Sequence, residues 1–256
     1  MAFPEGHKAV GKRPNVRREL ARVKRDPMRP FFDHLGEGVN PFVSSDISRY
    51  CDAYQMYFLA VRRFMTGMSV VTRYMNGAHY TRKYGGKYTP YEREIADKYR
   101  EIAPYTEFDI TNCLIHTRIL LDRVSSLSRR FLRGGQLPSF TSFSDHKKFF
   151  QRLQAPYGAH EPYAQYLRDH TPWFEMPLKE VRDKFVVHSA PTHSRCVGLP
   201  NNWEVELIIL RAEGKPPEKP FAKTSPVIVN VLRMTHDIEI FLDWLCDYAI
   251  GATSNT

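Results

Sequence analysis

Arg182 and His188, separated by Asp183, Lys184, Phe185, Val186 and Val187, are the pair in this chain best suited to chemistry on a phosphate diester. A guanidinium stays protonated and presents a fork of N–H donors matched to phosphate oxygens. An imidazole takes or gives a proton near neutral pH. Together they supply charge neutralisation and proton transfer, which allow such a bond to be broken without a metal. The spacing is common, so context decides which pairs matter. Arg29 with His34 runs through Pro30, which turns the arginine away from helical angles. Arg73 with His79 crosses Asn76 and Gly77, a turn signal. Only Arg182 with His188 lies in a continuous helix-forming run, residues 175 to 189, where Phe174, Leu178, Val181 and Phe185 recur at helical intervals.

An ideal helix separates residues six apart by about 9 Å of rise and about 240° of rotation, so these two side chains do not share a face. They converge only if the last turn loosens. Pro191 disfavours helical angles at Ala190 and puts the helix end at or just after His188. Lys184, one turn before His188, disfavours the protonated imidazole by like-charge repulsion. The structural alternative is equally simple: Arg182 pairs with a carboxylate, and His188 covers the last carbonyls of its own helix, where the dipole favours a cation.

Arg-polar-x(3–5)-His at the end of a core helix, Arg182-Asp183 to His188 here, resembles the signature of the HEPN superfamily of all-α proteins, many of them metal-independent endoribonucleases or toxin components. Residues 108 to 123 are similar to a helix often found upstream in such proteins, and the resemblance covers roughly residues 105 to 250. It implies that His188 is general acid or base on the ribose 2′-hydroxyl or the leaving oxygen, that Arg182 holds the scissile phosphate, and that Asp183 fixes their orientation. It also implies that the polar side of the 108 to 132 helix lies near the motif, where Asp122 or His116 orients His188 and Arg118 joins Lys184 in contacting nucleic acid. Members commonly pair two motif helices across a homodimer cleft.

The elements that position these residues are mostly helical. A helix from Ser44 or Ser45 to about Met68 carries Tyr50, Tyr54, Tyr57, Phe58, Val61 and Phe64 at core intervals. Residues 31 to 43, with Gly36, Gly38, Asn40 and Pro41, read as a loop. Residues 74 to 91 interleave rings with Arg82, Lys83 and Lys87, a composition suited to stacking and phosphate contact with single-stranded RNA and equally to a polar surface loop. Helices are predicted at 89 to 102, 108 to 132, 144 to 153 and 160 to 169. Residues 195 to 211 read as a small β-hairpin, and a last helix runs from about 225 to 250. The fold class is therefore mainly α, with a small β-hairpin before the C-terminal helix, and the resemblance implies that the helices form an HEPN-like bundle. Its expected organisation is a basic, partly disordered arm at 1–42, a helical extension at 43–104 and the bundle at 105–250.

Composition narrows the rest. The chain has 256 residues, 42% hydrophobic and 13% aromatic, with a net charge of +9. Its first 30 residues hold nine basic and three acidic side chains and so carry six of those nine charges. Such an arm is attracted to polyanions by counterion release, or serves as a solvated leader outside the core. Apolar runs are too short and too interrupted to span a bilayer, and no secretory signal is visible. Cys51, Cys113, Cys196 and Cys246 are scattered, as free thiols in a reducing cytosol would be. His188 with His193 lacks third and fourth metal ligands at useful spacing, and Ser144, Asp145 and His146 are consecutive and so cannot face one another as a triad. No Gly-rich phosphate loop, G-x-S-x-G or H-E-x-x-H occurs. The reading is a cytoplasmic, dimeric, cofactor-free and metal-free RNA-cleaving or RNA-binding protein, of a toxin or defence type with a partner protein or antitoxin. Its alternatives are a catalytically silent helical scaffold and a nucleotide-binding helical domain.

Overall fold

A computed structural model describes residues 26–36, 45–84, 86–132, 138–152, 161–179, 192–199, 202–210 and 226–254. The chain is mainly helical. Helix α1 (Arg29–His34) begins with Pro30 in its first turn and ends at Gly36, whose left-handed φ of 66° would strain a residue with a Cβ. Met28, Phe31 and Phe32 are fully buried, with Phe31 edge-on to Phe131 and Phe32 edge-on to Tyr50. For residues 26 to 34 this corrects the sequence reading, which placed residues 1 to 30 outside the core and a loop at 31 to 43. An adjacent phenylalanine pair behind a first-turn proline is a short buried helix, and the polar residues after it hid that signal.

Helix α2 (Asp46–Tyr84) has 39 residues, about 58 Å at 1.5 Å per residue. The Ser45 hydroxyl accepts the Ser48 N–H at 3.1 Å and starts it. Its core face, Ile47, Tyr50, Tyr54, Tyr57, Val61, Phe64, Met65, Met68 and Val71, repeats at three and four residues. The expected end near Met68 and the turn at Asn76-Gly77 are absent. Helix α3 (Pro90–Ile102) lies against this second half and carries it through: Tyr74 stacks on Tyr99 at 4.1 Å. Gly67 serves closeness rather than turning, since a Cβ there would come within 3.3 Å of the Ile102 side chain, whereas one on Gly77 would make only ordinary contact with Glu92, at 3.7 Å. A reciprocal capping box starts α3, with the Thr89 hydroxyl accepting the Glu92 N–H at 3.2 Å and the Glu92 carboxylate accepting the Thr89 N–H at 2.7 Å.

A single 3-10 turn (Ala103–Tyr105) leads into α4 (Thr106–Leu127), which packs along α2 and ends in a second such turn (Ser128–Arg130). Helix α5 (Phe143–Gln151) is capped by Ser142, which accepts the Asp145 N–H at 3.1 Å; α6 (Glu161–His170) packs on α5. After Thr171 the chain forms a π-helical segment, Phe174–Lys179. Strands β1 (Thr192–Leu199), β2 (Asn202–Leu210) and β3 (Pro226–Asn230) form an antiparallel sheet in that order, with Cys196 opposite Val205 and Leu207 opposite Val229. Its central strand lies on α2, and β3 adjoins the π-helical segment.

The last helix, α7, spans Val231–Ser254, and the Asn230 carbonyl oxygen Oδ1 accepts the Arg233 N–H at 3.0 Å. Residues 226 to 230, read from sequence as the start of this helix, form β3 instead. Pro226 followed by Val227, Ile228 and Val229 is a β-branched run that prefers a strand, and Asn230 is a preferred helix cap. Buried residues from Met28 to Ala249 join in one hydrophobic cluster. No helix among the described residues is long and apolar enough to cross a membrane.

Candidate site around Phe174

Arg182, Asp183, Lys184 and His188 lie outside the described residues. What is described is the chain that leads into them. Phe174, fully buried, opens the π-helical segment and packs edge-on to Phe143 at 4.8 Å. Two cations from different helices lie against its ring. The Arg118 guanidinium of α4 is 4.6 Å from the ring centroid, and the Lys147 ammonium of α5 is 5.6 Å away. Both side chains are interior, with Arg118 5% and Lys147 3% exposed.

Each charge has an answer. Arg118 Nη2 is 3.4 Å from Asp122 Oδ1, one helical turn on, and the same carboxylate oxygen accepts the Phe143 N–H at 2.8 Å. Asp122 thus neutralises the arginine and caps the first turn of α5 at once. Lys147 donates to the Thr171 carbonyl at 2.7 Å and stands 3.9 Å from Glu175, which also lies 3.6 Å from Lys179. Burial lowers the Lys147 pKa below the usual lysine range, and the charge of Glu175 opposes that shift. A desolvated cation on an aromatic face is worth up to about 2 kcal/mol, so the ring is held by charge as well as by packing.

The predicted supporting residues therefore separate. Arg118 and Asp122 meet at Phe174. His116, two residues before Arg118 on α4, is rotated from it by about 200°; it is half-buried, and burial alone lowers its pKa. Arg118 is an interior side chain rather than one presented to solvent. Arg82 and Lys83 lie on the last turn of α2, and Lys87 is exposed in the connection to α3. His146, in the rejected Ser-Asp-His run, is fully buried among Phe140, Phe143 and Phe150 with Nε2 2.7 Å from the Tyr163 hydroxyl; burial pulls its pKa down to about 3 and keeps it neutral.

Lys147 was missed as part of this cluster. Its signal was its place: it sits on the same helical face as Phe143 and Phe150, both buried. No group of three or more His, Cys, Asp or Glu side chains able to hold a metal occurs among the described residues, and Cys51, Cys113 and Cys246 are free thiols. Compared with protein-family models, with curated proteins and with solved structures, the chain matches none of them.

Proposed function

We propose that this chain is an HEPN-like bundle, with the hairpin of residues 195 to 211 before the last helix, that cleaves or binds RNA without a metal. The observation that carries the reading is the sequence Arg182-Asp183 to His188, stopped by Pro191, entered through a segment clamped between two helices at Phe174. Rigid entry matters because a general acid or base works only if held within hydrogen-bond reach of the proton it moves.

In the proposed reaction the ribose 2′-hydroxyl attacks the adjacent phosphorus, the bond to the 5′-oxygen breaks, and a 2′,3′-cyclic phosphate and a 5′-hydroxyl result. His188 takes the 2′ proton or supplies the proton that the 5′-oxygen needs on leaving. Arg182 neutralises the charge that develops on the non-bridging oxygens. Asp183 orients the pair, Arg118 and Asp122 hold the entering segment from beneath, and Lys184, Arg82, Lys83 and Lys87 supply phosphate contacts. A homodimer would place two such motifs across one cleft, in a module of toxin or defence type that includes a protein partner or antitoxin.

The test is incubation of the full chain with RNA in chelator, wild type against Arg182→Ala and His188→Ala. The reading expects cleavage by wild type that both substitutions abolish. Cleavage that survives both would refute the assigned roles, and none under any condition would favour the silent scaffold.

A further inference from the structure

Far along the chain from Phe174, where α3 gives way to α4 above the middle of α2, an open groove of about 420 Å³ is lined by Leu59, Arg62, Arg63, Thr66, Ile102 and Tyr105, with Asp109 at its base. Its lining has two parts. One is flat and aromatic: Tyr105 is 55% exposed, and so is Phe108 beside it. The other is cationic, and its two arginines differ. Arg63 is committed, with Nε 2.7 Å from the buried Asp109 carboxylate and its guanidinium 5.9 Å and 5.7 Å from the rings of Tyr105 and Phe108. It cancels the one acidic side chain in the lining and braces both rings. Arg62, the next residue, is exposed and has no ion pair among the described residues.

Leu59, Arg62, Arg63 and Thr66 follow one face of α2, so the groove is built on a rigid helix. The Thr66 hydroxyl donates to the Arg62 carbonyl at 2.8 Å, which leaves its oxygen able to accept. An exposed ring face beside an uncommitted guanidinium is suited to a planar ring that carries a phosphate.

We infer that this groove binds a nucleotide unit, its base stacked on Tyr105 and its phosphate held by Arg62. Stacking costs the tyrosine little, because its ring is already held by Arg63. The fork of Arg62 matches phosphate oxygens where a carboxylate ligand would leave the ring face unused. The inference stands apart from cleavage at His188: one can fail while the other holds.

The same chemistry comes from a free nucleotide or from one residue of a single strand, and the experiment separates them. Fluorescence anisotropy of the full chain with a labelled 2′-O-methyl hexanucleotide, which cannot be cleaved through a 2′-hydroxyl, is measured at about 0.15 M salt with AMP as competitor. Tyr105→Ala and Arg62→Ala, both at exposed positions, each weaken binding about tenfold, while Arg93→Ala on α3 and Ile240→Ala on α7, both exposed and outside the groove lining, leave it unchanged. Melting temperatures of the four variants check that each is folded. Competition by AMP assigns the groove to a free nucleotide; tight strand binding that AMP does not displace assigns it to a strand residue. Absence of binding to either probe by wild type, or equal affinity in wild type, Tyr105→Ala and Arg62→Ala, overturns the proposal.

Discussion

Replacing Glu239 by glutamine should flatten the pH dependence of this protein's stability. Glu239 sits on α7 at 1% exposure, with the Tyr54 hydroxyl 3.4 Å from Oε2, and forms no ion pair among the described residues. Burial raises its pKa from 4.5 to about 8, assisted by the negative charges of Asp243 and Asp26 and opposed by the tyrosine hydroxyls. A carboxyl whose folded pKa is raised keeps its proton in the native state while the unfolded chain releases it. Stability is therefore fully present below the unfolded value and falls as pH rises toward the folded one. The slope is about 1.4 kcal/mol per pH unit in that window, so raising pH from 5 to 7.5 costs about 3 kcal/mol. At about 2–4 °C per kcal/mol for a chain of this size, the melting temperature drops by about 10 °C. Glutamine keeps the shape and cannot ionise. Circular dichroism melts of wild type and Glu239→Gln from pH 5 to 7.5 should diverge, the variant becoming the more stable toward neutrality. Asp237, also raised by burial, contributes equally to both proteins and drops out of the difference, whereas Asp26, whose charge acts on Glu239, cancels only in part. Parallel curves would refute the reasoning.

The cluster at Phe174 makes its own demands. Phe174→Leu keeps most of the buried volume but removes the face that two cations share, and should cost about 1–3 kcal/mol in urea unfolding; no loss would mean the ring is only filler. Lys147→Ala leaves the Thr171 carbonyl without its donor and should destabilise by about 2–3 kcal/mol, readable in the same titration. Thr89→Ala removes the side-chain half of the α3 capping box, and a loss of about 1 kcal/mol is expected by thermal melt, with no effect at all counting against that cap.

Elements marked by local chemistry were legible in the sequence. Thr89-Pro90 with Glu92 three residues after the threonine announces the start of α3, and Ser142 with Asp145 does the same for α5. The apolar repeats of α4, apart from the exposed Ile119, and of α7 from Val231 to Leu245 gave away their core faces. What depended on distant packing was not legible. Asn76-Gly77 is a turn by composition, and only the neighbouring α3 shows why those residues stay helical. Phe31 and Phe32 are buried by helices far along the chain, so the polar stretch after them dominated the local reading. At the site, Arg118 and Asp122 were singled out by the resemblance, and their four-residue spacing accounts for the ion pair they form, whereas Lys147 and the pairing of Arg63 with Asp109 link helices and leave no short-range trace.

The account turns on Arg182 and His188 acting as one unit on RNA. Single-turnover cleavage of a defined RNA in chelator, by wild type, Arg182→Ala, His188→Ala and the double variant, tests that most directly. Residues that act together lose their effect together, so each single variant and the double should fall to the same background. Wild type no faster than the double variant, or a double variant slowed by the product of the two single losses, would contradict the account.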